Sequence, residues 1–194
     1  MNIFVLDLDL KKCAEYHCSK HIVKMITEYN QILGSVAYTA RGINRKKDIT
    51  PEFVAETFQG FPRLDADGNI SPYGIGYTNH PCTTWAKSSR LNYMWLCELN
   101  LKMCKEYTYR YKKVHRGQAI TDWYLNNCPE LSFVPMTPFA QAMPEAYKDP
   151  NDVVKAYRQY YINDKAKIAK WPIDRVPEWW PYQNKETLCI AQQK

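Results

Sequence analysis

The sequence has no long apolar run, and its first residues do not have the pattern of a signal peptide. No stretch approaches the ~20 consecutive apolar residues that span a bilayer. The first ten residues, MNIFVLDLDL, lack a basic segment and are interrupted by Asp7 and Asp9, unlike a signal peptide. Internal repeats and low-complexity tracts are also lacking. These absences predict a protein that has no membrane anchor and acts in the cytoplasm.

Cysteines are present, but not in pairs. The seven cysteines are scattered, odd in number and without a CxxC spacing, which is typical of reduced thiols inside a cell. His17 and His21 have the i, i+4 spacing of zinc ligands, but no second pair of Cys or His residues is spaced to complete a tetrahedral site. We therefore expect neither a bound metal nor a cofactor.

The chain is rich in aromatic residues and moderately basic. Its 194 residues are enough for one domain with a full core. It contains 15 Tyr and 6 Trp, and its formal net charge is +6. Aromatic rings can stack on bases and cations attract phosphates, so the composition favours a nucleic-acid partner, although many proteins of this charge bind none.

Hydrophobic periodicity predicts an all-α fold, a compact helical bundle that forms a single domain over residues 1–194. Two long helices are its main elements. The first is expected from about Leu10 to about Thr39, and the second from Pro81, which suits a first helical turn, to about His115.

The remaining segments are shorter or irregular. Residues 43–78 are rich in Gly and Pro and are predicted to be a loop-rich insertion or lid over the site. Short helices are expected at about 119–127 and 151–170, the latter with Lys165 on the side away from the core. Residues 171–194 are predicted to be a Pro- and Trp-rich tail that wraps around the body.

Ionisable residues recur at helical spacing in the first long helix. His17, His21, Lys24 and Glu28 follow one another at intervals of four, three and four, which places them within roughly 40° on one helix face. Two imidazoles, an amine and a carboxylate can transfer protons, hold a phosphate or form an imine. The alternative is a solvated helix face on which Lys24 and Glu28 form an ordinary i, i+4 pair.

A second motif, TNHPCTTW, combines a turn with the start of a helix. Asn79 or His80 can cap the helix that begins at Pro81, and the free amides of a helix N-terminus attract a DNA phosphate. A simple helix cap explains the same residues equally well. Cys82 lies in the first turn, but no partner that would make it a nucleophile is evident.

Basic residues decorate the second long helix. Lys87 and Arg90 lie in its first part, and aromatic rings alternate with cations in EYTYRYKKVHR near its end. This alternation suits a nucleic-acid groove, whereas the alternative is a helix end with cations favoured by the helix dipole. The predicted DNA contacts from the second motif and this helix are Asn79, His80, Lys87, Arg90, Tyr109, Arg110, Lys112, Lys113 and His115.

These motifs together resemble a family of small proteins that recurs in tailed-phage genomes. They read HxxxHxxKMxxE, NHPCxxW, EYTYRYxKxH, TPxxxAMPExYK and PEWW. The order of elements is also similar, more distantly, to the phage pyrimidine-dimer DNA glycosylase family. That resemblance implies a compact all-α fold, DNA as substrate, and cleavage of a glycosidic bond by an amine that attacks the sugar C1′.

The resemblance also implies roles for particular residues. His17 matches the histidine of that family's first helix and His80 the histidine of its turn. Lys24 lies nearest the place of the catalytic glutamate, and Glu28 lies one turn later. The family uses the amine of residue 2, which is Asn2 here, and Lys24 is our candidate if an imine forms.

The sequence therefore predicts an enzyme that binds duplex DNA with an extruded, damaged or modified base and cleaves it in the manner of an N-glycosylase, with possible imine chemistry. His17 and His21 contact phosphate or shuttle protons, as does His80. Lys24 is the nucleophile or an electrostatic stabiliser, and Glu28 steadies positive charge on the sugar. Two alternatives remain: a transferase that modifies bases in phage DNA, and a non-catalytic module that binds nucleic acid or inhibits a host protein.

Overall fold

Seven α-helices make up about half of the part that the computed structural model describes, residues 2–182. They are α1 (Leu10–Tyr16), α2 (Ser19–Thr39), α3 (Pro51–Thr57), α4 (Pro81–Ser88), α5 (Arg90–Tyr111), α6 (Gly117–Asn126) and α7 (Val153–Asp164). Short 3-10 turns at Lys46–Asp48, Glu145–Tyr147 and Ile173–Arg175 lie in the connections. No β-strand occurs among these residues, so the predicted all-α single domain is confirmed.

The two long helices form the centre of the bundle. α2 has 21 residues and α5 has 22, and they pack against each other. Every residue of α2 from Ile32 to Thr39 is buried, because α4, α5 and α6 all pack on it. α5 also contacts α1, α4 and α6.

The first predicted long helix is interrupted, which corrects the expectation of one helix from Leu10 to Thr39. The backbone at His17 and Cys18 is extended, with ψ of 129° and 160°. In a continuous helix the Ser19 amide would donate to the Glu15 carbonyl oxygen. Instead it donates to the carbonyl oxygen of Lys170 at 2.7 Å, and the Glu15 oxygen accepts a bond from Arg110. The Ser19 amide and the Glu15 carbonyl oxygen thus both have hydrogen-bond partners outside the helix, so the helix can end here without leaving either group unpaired.

The second predicted long helix is interrupted as well. Ser89 has extended backbone and caps α5, because its Oγ accepts from the Leu91 amide at 3.1 Å and donates to the Val134 carbonyl oxygen at 2.8 Å. α5 ends at Tyr111, four residues before the expected end at His115. The next residue, Lys112, has a left-handed backbone conformation with φ of 54° and caps the helix.

The N-terminal segment, residues 2–6, is neither helix nor strand and is buried. The side-chain amide of Asn2 donates to the Ala142 carbonyl oxygen at 2.7 Å, and its Oδ1 accepts from the Tyr157 hydroxyl at 2.8 Å. The Phe4 amide donates to the Tyr29 hydroxyl at 3.3 Å. These bonds tie the segment to α2, to α7 and to the connection that precedes α7.

Residues 43–78 pack on the far end of α2 and on α6. Phe58 and Phe61 contact the Trp123 ring, with centroids 5.5 and 5.1 Å apart, and the Ser35 hydroxyl donates to the Gly76 carbonyl oxygen at 2.7 Å.

The tail is described as far as residue 182, and the rest of the predicted 171–194 segment lies outside the described residues. Trp171 Nε1 donates to the Tyr16 carbonyl oxygen at 2.9 Å, and Trp180 is buried against Trp171. The tail therefore lies against the helical body, as predicted.

The six described cysteines are all free thiols, and five of them are buried. Burial raises the pKa of Cys13 and of Cys82 to about 11. Cys82 is therefore not an activated nucleophile. None of the described helices is both long and apolar enough to cross a bilayer.

Gly117 offers a test of the packing between α2 and α6. A Cβ atom there would lie 2.8 Å from Ile26 Cγ2 and 2.9 Å from Asn30 Nδ2. We therefore expect Gly117→Ala to lower the free energy of unfolding by roughly 1–3 kcal/mol, as overpacking does, when measured by urea denaturation. Gly74→Ala is the matched control, because its Cβ would meet nothing within 4 Å. Equal stability of the two variants would contradict this packing.

Candidate active site

A cavity of about 300 Å³ opens between the first half of α2, the N-terminal segment and the end of α7. It brings together three of the four residues predicted to form the ionisable stripe, namely His21, Lys24 and Glu28. The lining residues are Asn2, Phe4, Lys20, His21, Lys24, Met25, Glu28, Ala142, Tyr160, Lys165 and Ile168. None of them belongs to residues 43–78, so the predicted lid packs elsewhere in the described structure.

Three aromatic rings form one side of this cavity. The Phe4 ring stacks on the His21 ring, with centroids 4.6 Å apart and planes 23° from parallel. Its ring is also nearly parallel to that of Tyr160, at 6.2 Å and 19°. Phe4 and His21 are buried, so Tyr160, which is partly exposed, is the ring that reaches the cavity surface.

His21 is a neutral group in this wall. Its side chain is buried, and Nδ1 is hydrogen-bonded to the Tyr161 hydroxyl. Burial, together with the nearby His17, Lys165 and Lys24, lowers the pKa of His21 to about 3. His21 therefore cannot attract a phosphate as a cation at pH 7, although its remaining ring nitrogen can take part in one hydrogen bond.

Lys24 and Glu28 supply the charged pair of the cavity. Lys24 Nζ lies 3.0 Å from Glu28 Oε1, and the side chains are 62% and 15% exposed, respectively. The carboxylate is therefore held at a largely buried position while the ammonium group reaches solvent. Lys20 and Lys165 also line the cavity, which leaves it with three lysines and one carboxylate and hence electropositive.

His17 does not share this face, and that prediction is wrong. The helix ends at His17, whose side chain is completely buried. Its Nδ1–H donates to the Cys13 carbonyl oxygen at 2.7 Å, and Nε2 lies 3.3 Å from the Tyr29 hydroxyl. Burial lowers the pKa of His17 to about 4. The ring therefore supports the turn between α1 and α2 from inside the core.

The turn before α4 is a helix cap, as one of the two interpretations predicted. His80 Nδ1 accepts a hydrogen bond from the Cys82 amide at 3.2 Å. Burial lowers the pKa of His80, and the carboxylate of Glu28 partly offsets this effect. Asn79 is exposed beside it. His80 thus lies within electrostatic reach of the cavity, although it does not line it.

The predicted DNA contacts near the end of α5 divide into buried and exposed groups. The side chain of Arg110 is only 2% exposed, and its Nε lies 2.6 Å from Glu106 Oε1. Arg110 is therefore an internal ion-pair partner, which corrects its prediction as a phosphate contact. Tyr109, Lys112 and Lys113 are exposed. Tyr109 nevertheless donates its hydroxyl to Asp174.

The end of α5 lies beside the start of α2, because the Tyr111 hydroxyl donates to the Ser19 carbonyl oxygen at 3.2 Å. Lys112 and Lys113 follow Tyr111 directly, and Lys112 Nζ donates to the Tyr109 carbonyl oxygen at 2.8 Å. His115 is partly buried and caps the start of α6, where Nδ1 accepts from the Gly117 amide at 2.9 Å.

The two remaining predicted contacts lie far from the cavity. Lys87 donates to the Thr39 carbonyl oxygen at 3.1 Å, at the far end of α2. Arg90 is exposed at the first residue of α5, which is about 30 Å from the end of that helix at 1.5 Å per residue. Neither can touch the same nucleotide as Lys24.

Eight of the eleven lining residues were not among the predicted site residues, and four of these eight carry a charge or an aromatic ring: Phe4, Lys20, Tyr160 and Lys165. Lys20 lies four residues before Lys24, so helical spacing could have found it. Tyr160 and Lys165 follow Glu28 by more than 130 positions, and spacing along the chain gives no signal across that distance. Within the described residues, no three His, Cys, Asp or Glu side chains come together as a metal ion would require.

Comparison with known proteins identifies one family. A family model described as pyrimidine dimer DNA glycosylase matches residues 1–118, which is more than half of the chain and includes α1 to α5. No curated protein and no solved structure matches the chain. The resemblance inferred from the motifs is therefore confirmed. The matched segment contains Lys24 and Glu28, whereas Tyr160 and Lys165 lie beyond it.

The buried histidines predict a pH-dependent stability. His17 and His21 titrate near pH 4 and pH 3 in the folded protein, against an ordinary pKa of about 6.5 in the unfolded chain. Below pH 6.5 the unfolded chain therefore binds protons that the folded one does not. The free energy of unfolding should decrease as the pH falls, by about 1.4 kcal/mol per pH unit for each histidine.

Urea denaturation between pH 6.5 and pH 5 measures this slope in a range where carboxylates contribute little. His21→Gln, which keeps a polar partner for Tyr161 but cannot titrate, should show a smaller slope than the wild type. A stability that stays constant over this range would mean that the rings are not buried in their neutral form.

Proposed function

The chain belongs to the pyrimidine dimer DNA glycosylase family, and from that premise we propose that it cleaves the glycosidic bond of a damaged pyrimidine nucleotide held in the cavity at α2. Family membership supports a DNA glycosylase activity on damaged bases. The observation that carries the assignment of the site is the Lys24–Glu28 ion pair, 3.0 Å long, at the wall of an electropositive cavity with an aromatic side.

Extrusion of the nucleotide from the duplex explains why a cavity is needed. Enzymes that act on a base inside a duplex turn the nucleotide out of the stack into a pocket, and a damaged base costs less to unstack. The cavity has a volume of about 300 Å³, at the lower end of the usual range for ligand sites. Lys20 lies at its wall, where an ammonium group can offset the charge of a flanking phosphate.

Glu28 is placed to stabilise the charge that develops during bond cleavage. As the glycosidic bond lengthens, positive charge appears on C1′ and the ring oxygen of the sugar. A carboxylate fixed in a largely buried position interacts with that charge more strongly than it would in water. Glu28 is 15% exposed and held by Lys24, so it is positioned before the substrate arrives.

Lys24 has two possible roles, and the proposed one is covalent. Glu28 can accept a proton from the Lys24 ammonium group, after which the Nζ lone pair attacks C1′. The base leaves with the electron pair of the glycosidic bond and takes the proton from Glu28, which is then a carboxylate again. The bond from C1′ to the ring oxygen opens, that oxygen takes a proton from Nζ, and C1′ remains joined to Nζ as a protonated imine. Otherwise Lys24 acts as an electrostatic stabiliser.

The exposed basic residues at the end of α5 extend the site for the rest of the duplex. Lys112 and Lys113 are exposed directly after Tyr111, whose hydroxyl is bonded to the start of α2, and they can contact backbone phosphates. Phage origin and action in the cytoplasm stay predictions.

Substitution of Glu28 tests the catalytic centre. With a duplex that carries one cyclobutane pyrimidine dimer, the wild type should produce an abasic site, which alkali converts into a strand break. Glu28→Gln should lower kcat by about 100-fold or more, since it removes a charge that acts in the transition state, with little change in KM. The matched control is Glu130→Gln, at an exposed glutamate away from the cavity.

Three outcomes would contradict the proposal. Full activity of Glu28→Gln would exclude the assigned role. A product that forms only with a second small substrate would indicate a transferase, and binding without product would indicate a non-catalytic module.

Borohydride trapping tests the covalent role of Lys24. Borohydride reduces an imine to a stable amine, so the wild type should become covalently attached to the DNA. Lys24→Ala should lose the adduct, whereas Lys167→Ala, at an exposed lysine outside the lining, should keep it. Peptide mapping then identifies the modified residue. An adduct that persists in Lys24→Ala would leave Lys24 with the electrostatic role only.

A further inference from the structure

The His21 ring presents one nitrogen to the cavity. Phe4 stacks on the face of the ring, and Nδ1 is hydrogen-bonded to the Tyr161 hydroxyl. Within residues 2–182 this is the one hydrogen bond of the ring, yet Nε2 is not among the polar side-chain atoms that are enclosed without a partner. His21 lines the cavity although only 5% of the residue is exposed. Nε2 is therefore the polar atom that the ring exposes to the cavity.

The Tyr161 hydroxyl determines which ring nitrogen carries the proton. Burial raises the pKa of Tyr161 well above its ordinary value, and a hydrogen bond from the Cys18 backbone amide to its oxygen offsets only part of this. The hydroxyl therefore keeps its proton and can donate it to Nδ1. When Nδ1 accepts a hydrogen bond, a neutral imidazole has its single proton on Nε2. The ring thus offers an N–H donor to whatever occupies the cavity.

His21 and Lys24 are neighbours on the same helix face. They are three residues apart on α2, which separates their Cβ atoms by about 5–6 Å. The proposed function places C1′ of the damaged nucleotide beside Lys24. In a pyrimidine nucleotide N1 is bonded to C1′, and the O2 carbonyl oxygen is on the carbon next to N1. A sugar held at Lys24 therefore brings O2 of its base toward His21.

We propose that His21 is a catalytic hydrogen-bond donor: its neutral ring, oriented by the Tyr161 hydroxyl, donates from Nε2 to the O2 oxygen of the leaving pyrimidine. This inference rests on the proposed function and adds to it the group that stabilises the leaving base. Lys24 and Glu28 act on the sugar, whereas His21 acts on the other side of the same glycosidic bond.

The charge that His21 stabilises appears as the bond breaks. The electron pair of the glycosidic bond passes to N1 and spreads to O2. In a cyclobutane dimer the double bond between C5 and C6 is saturated, so O2 is the carbonyl oxygen directly conjugated with N1. A fixed donor aimed at a developing oxyanion lowers the barrier without reorganisation, and a neutral imidazole can serve as that donor. His21 keeps its proton throughout, since the base takes its proton from Glu28.

Single-turnover cleavage of the dimer duplex tests this role. His21→Phe keeps a ring that can stack on Phe4 but has no donor, and should lower the rate by about 100-fold, as loss of one donor to a developing oxyanion does. The enzyme concentration that gives half the maximal rate should change little, because the charge on O2 appears only as the bond breaks. His21→Gln has an amide N–H in place of the ring and should retain more of the rate.

Tyr161→Phe tests the orientation of the ring. It keeps the aromatic packing and removes the hydroxyl, so the rate should decrease by less than in His21→Phe, again with little change in the half-maximal concentration. Tyr124→Phe is the matched control, at a buried tyrosine outside the cavity lining, and should cleave as the unsubstituted protein does. Equal rates for Tyr161→Phe and Tyr124→Phe would exclude the positioning role of the Tyr161 hydroxyl. Thermal unfolding verifies that each variant is folded.

Nitrogen NMR of the imidazole rings measures the tautomer without any substrate. The protein has four histidines, and the signals lost in His21→Gln identify those of His21. We expect the proton on Nε2 in the unsubstituted protein and a mixture of the two tautomers in Tyr161→Phe. A proton on Nδ1 in the unsubstituted protein would overturn the proposal, even if His21→Phe fails to fold.

The pH profile distinguishes a neutral donor from a charged acid. The titratable groups around the ring are His17, Cys18, Lys20, Lys24, Glu28, Tyr161 and Lys165. These groups are common to the unsubstituted protein and His21→Phe, and the pKa of His21 is about 3. The ratio of the two rates should therefore stay constant from pH 6 to pH 8. A ratio that falls over this range would indicate an imidazolium acid with the ordinary pKa of about 6.5 and would overturn the neutral donor.

The outcomes separate this inference from the proposed function. If the unsubstituted protein cleaves the dimer duplex and folded His21→Phe cleaves it equally fast, the role of His21 is overturned and the proposed function stands. If the unsubstituted protein does not cleave the dimer duplex, both are overturned together.

Discussion

The site depends on the burial of Phe4 between the two sides of the cavity. Its ring stacks on His21 of α2 and lies parallel to Tyr160 of α7, and its amide is bonded to Tyr29. The N-terminal segment thus joins the helix that carries the ion pair to the helix that carries the opposite wall. The same two helices also meet directly, because His21 of α2 is hydrogen-bonded to Tyr161 of α7.

The same burial decides which ionisable groups remain for chemistry. His17 and His21 lie deep enough that desolvation keeps both rings neutral. The charges at the cavity are then those of the lysines and of Glu28, with the Lys24–Glu28 pair at its wall. The site is therefore an electropositive recess with one fixed carboxylate. Its lysines can attract the negative phosphates of DNA, and the carboxylate can stabilise the positive charge that develops on the sugar.

Local spacing in the sequence was enough to predict the helical fold and the position of Lys24 and Glu28, because an i, i+4 pair depends only on the helix that contains it. It could not predict that Arg110 would take the Glu15 carbonyl oxygen and interrupt the first helix, or that Arg110 would itself be buried against Glu106. Those contacts join distant segments. The contribution of Tyr160 to the cavity is likewise set by tertiary packing alone.

The most direct test of the account is a crystal structure of Glu28→Gln bound to a duplex with one pyrimidine dimer. The account predicts the damaged nucleotide in the cavity, with its C1′ beside Lys24 and Glu28. A duplex bound elsewhere on the surface, or a dimer that stays stacked while the cavity holds no nucleotide, would contradict it.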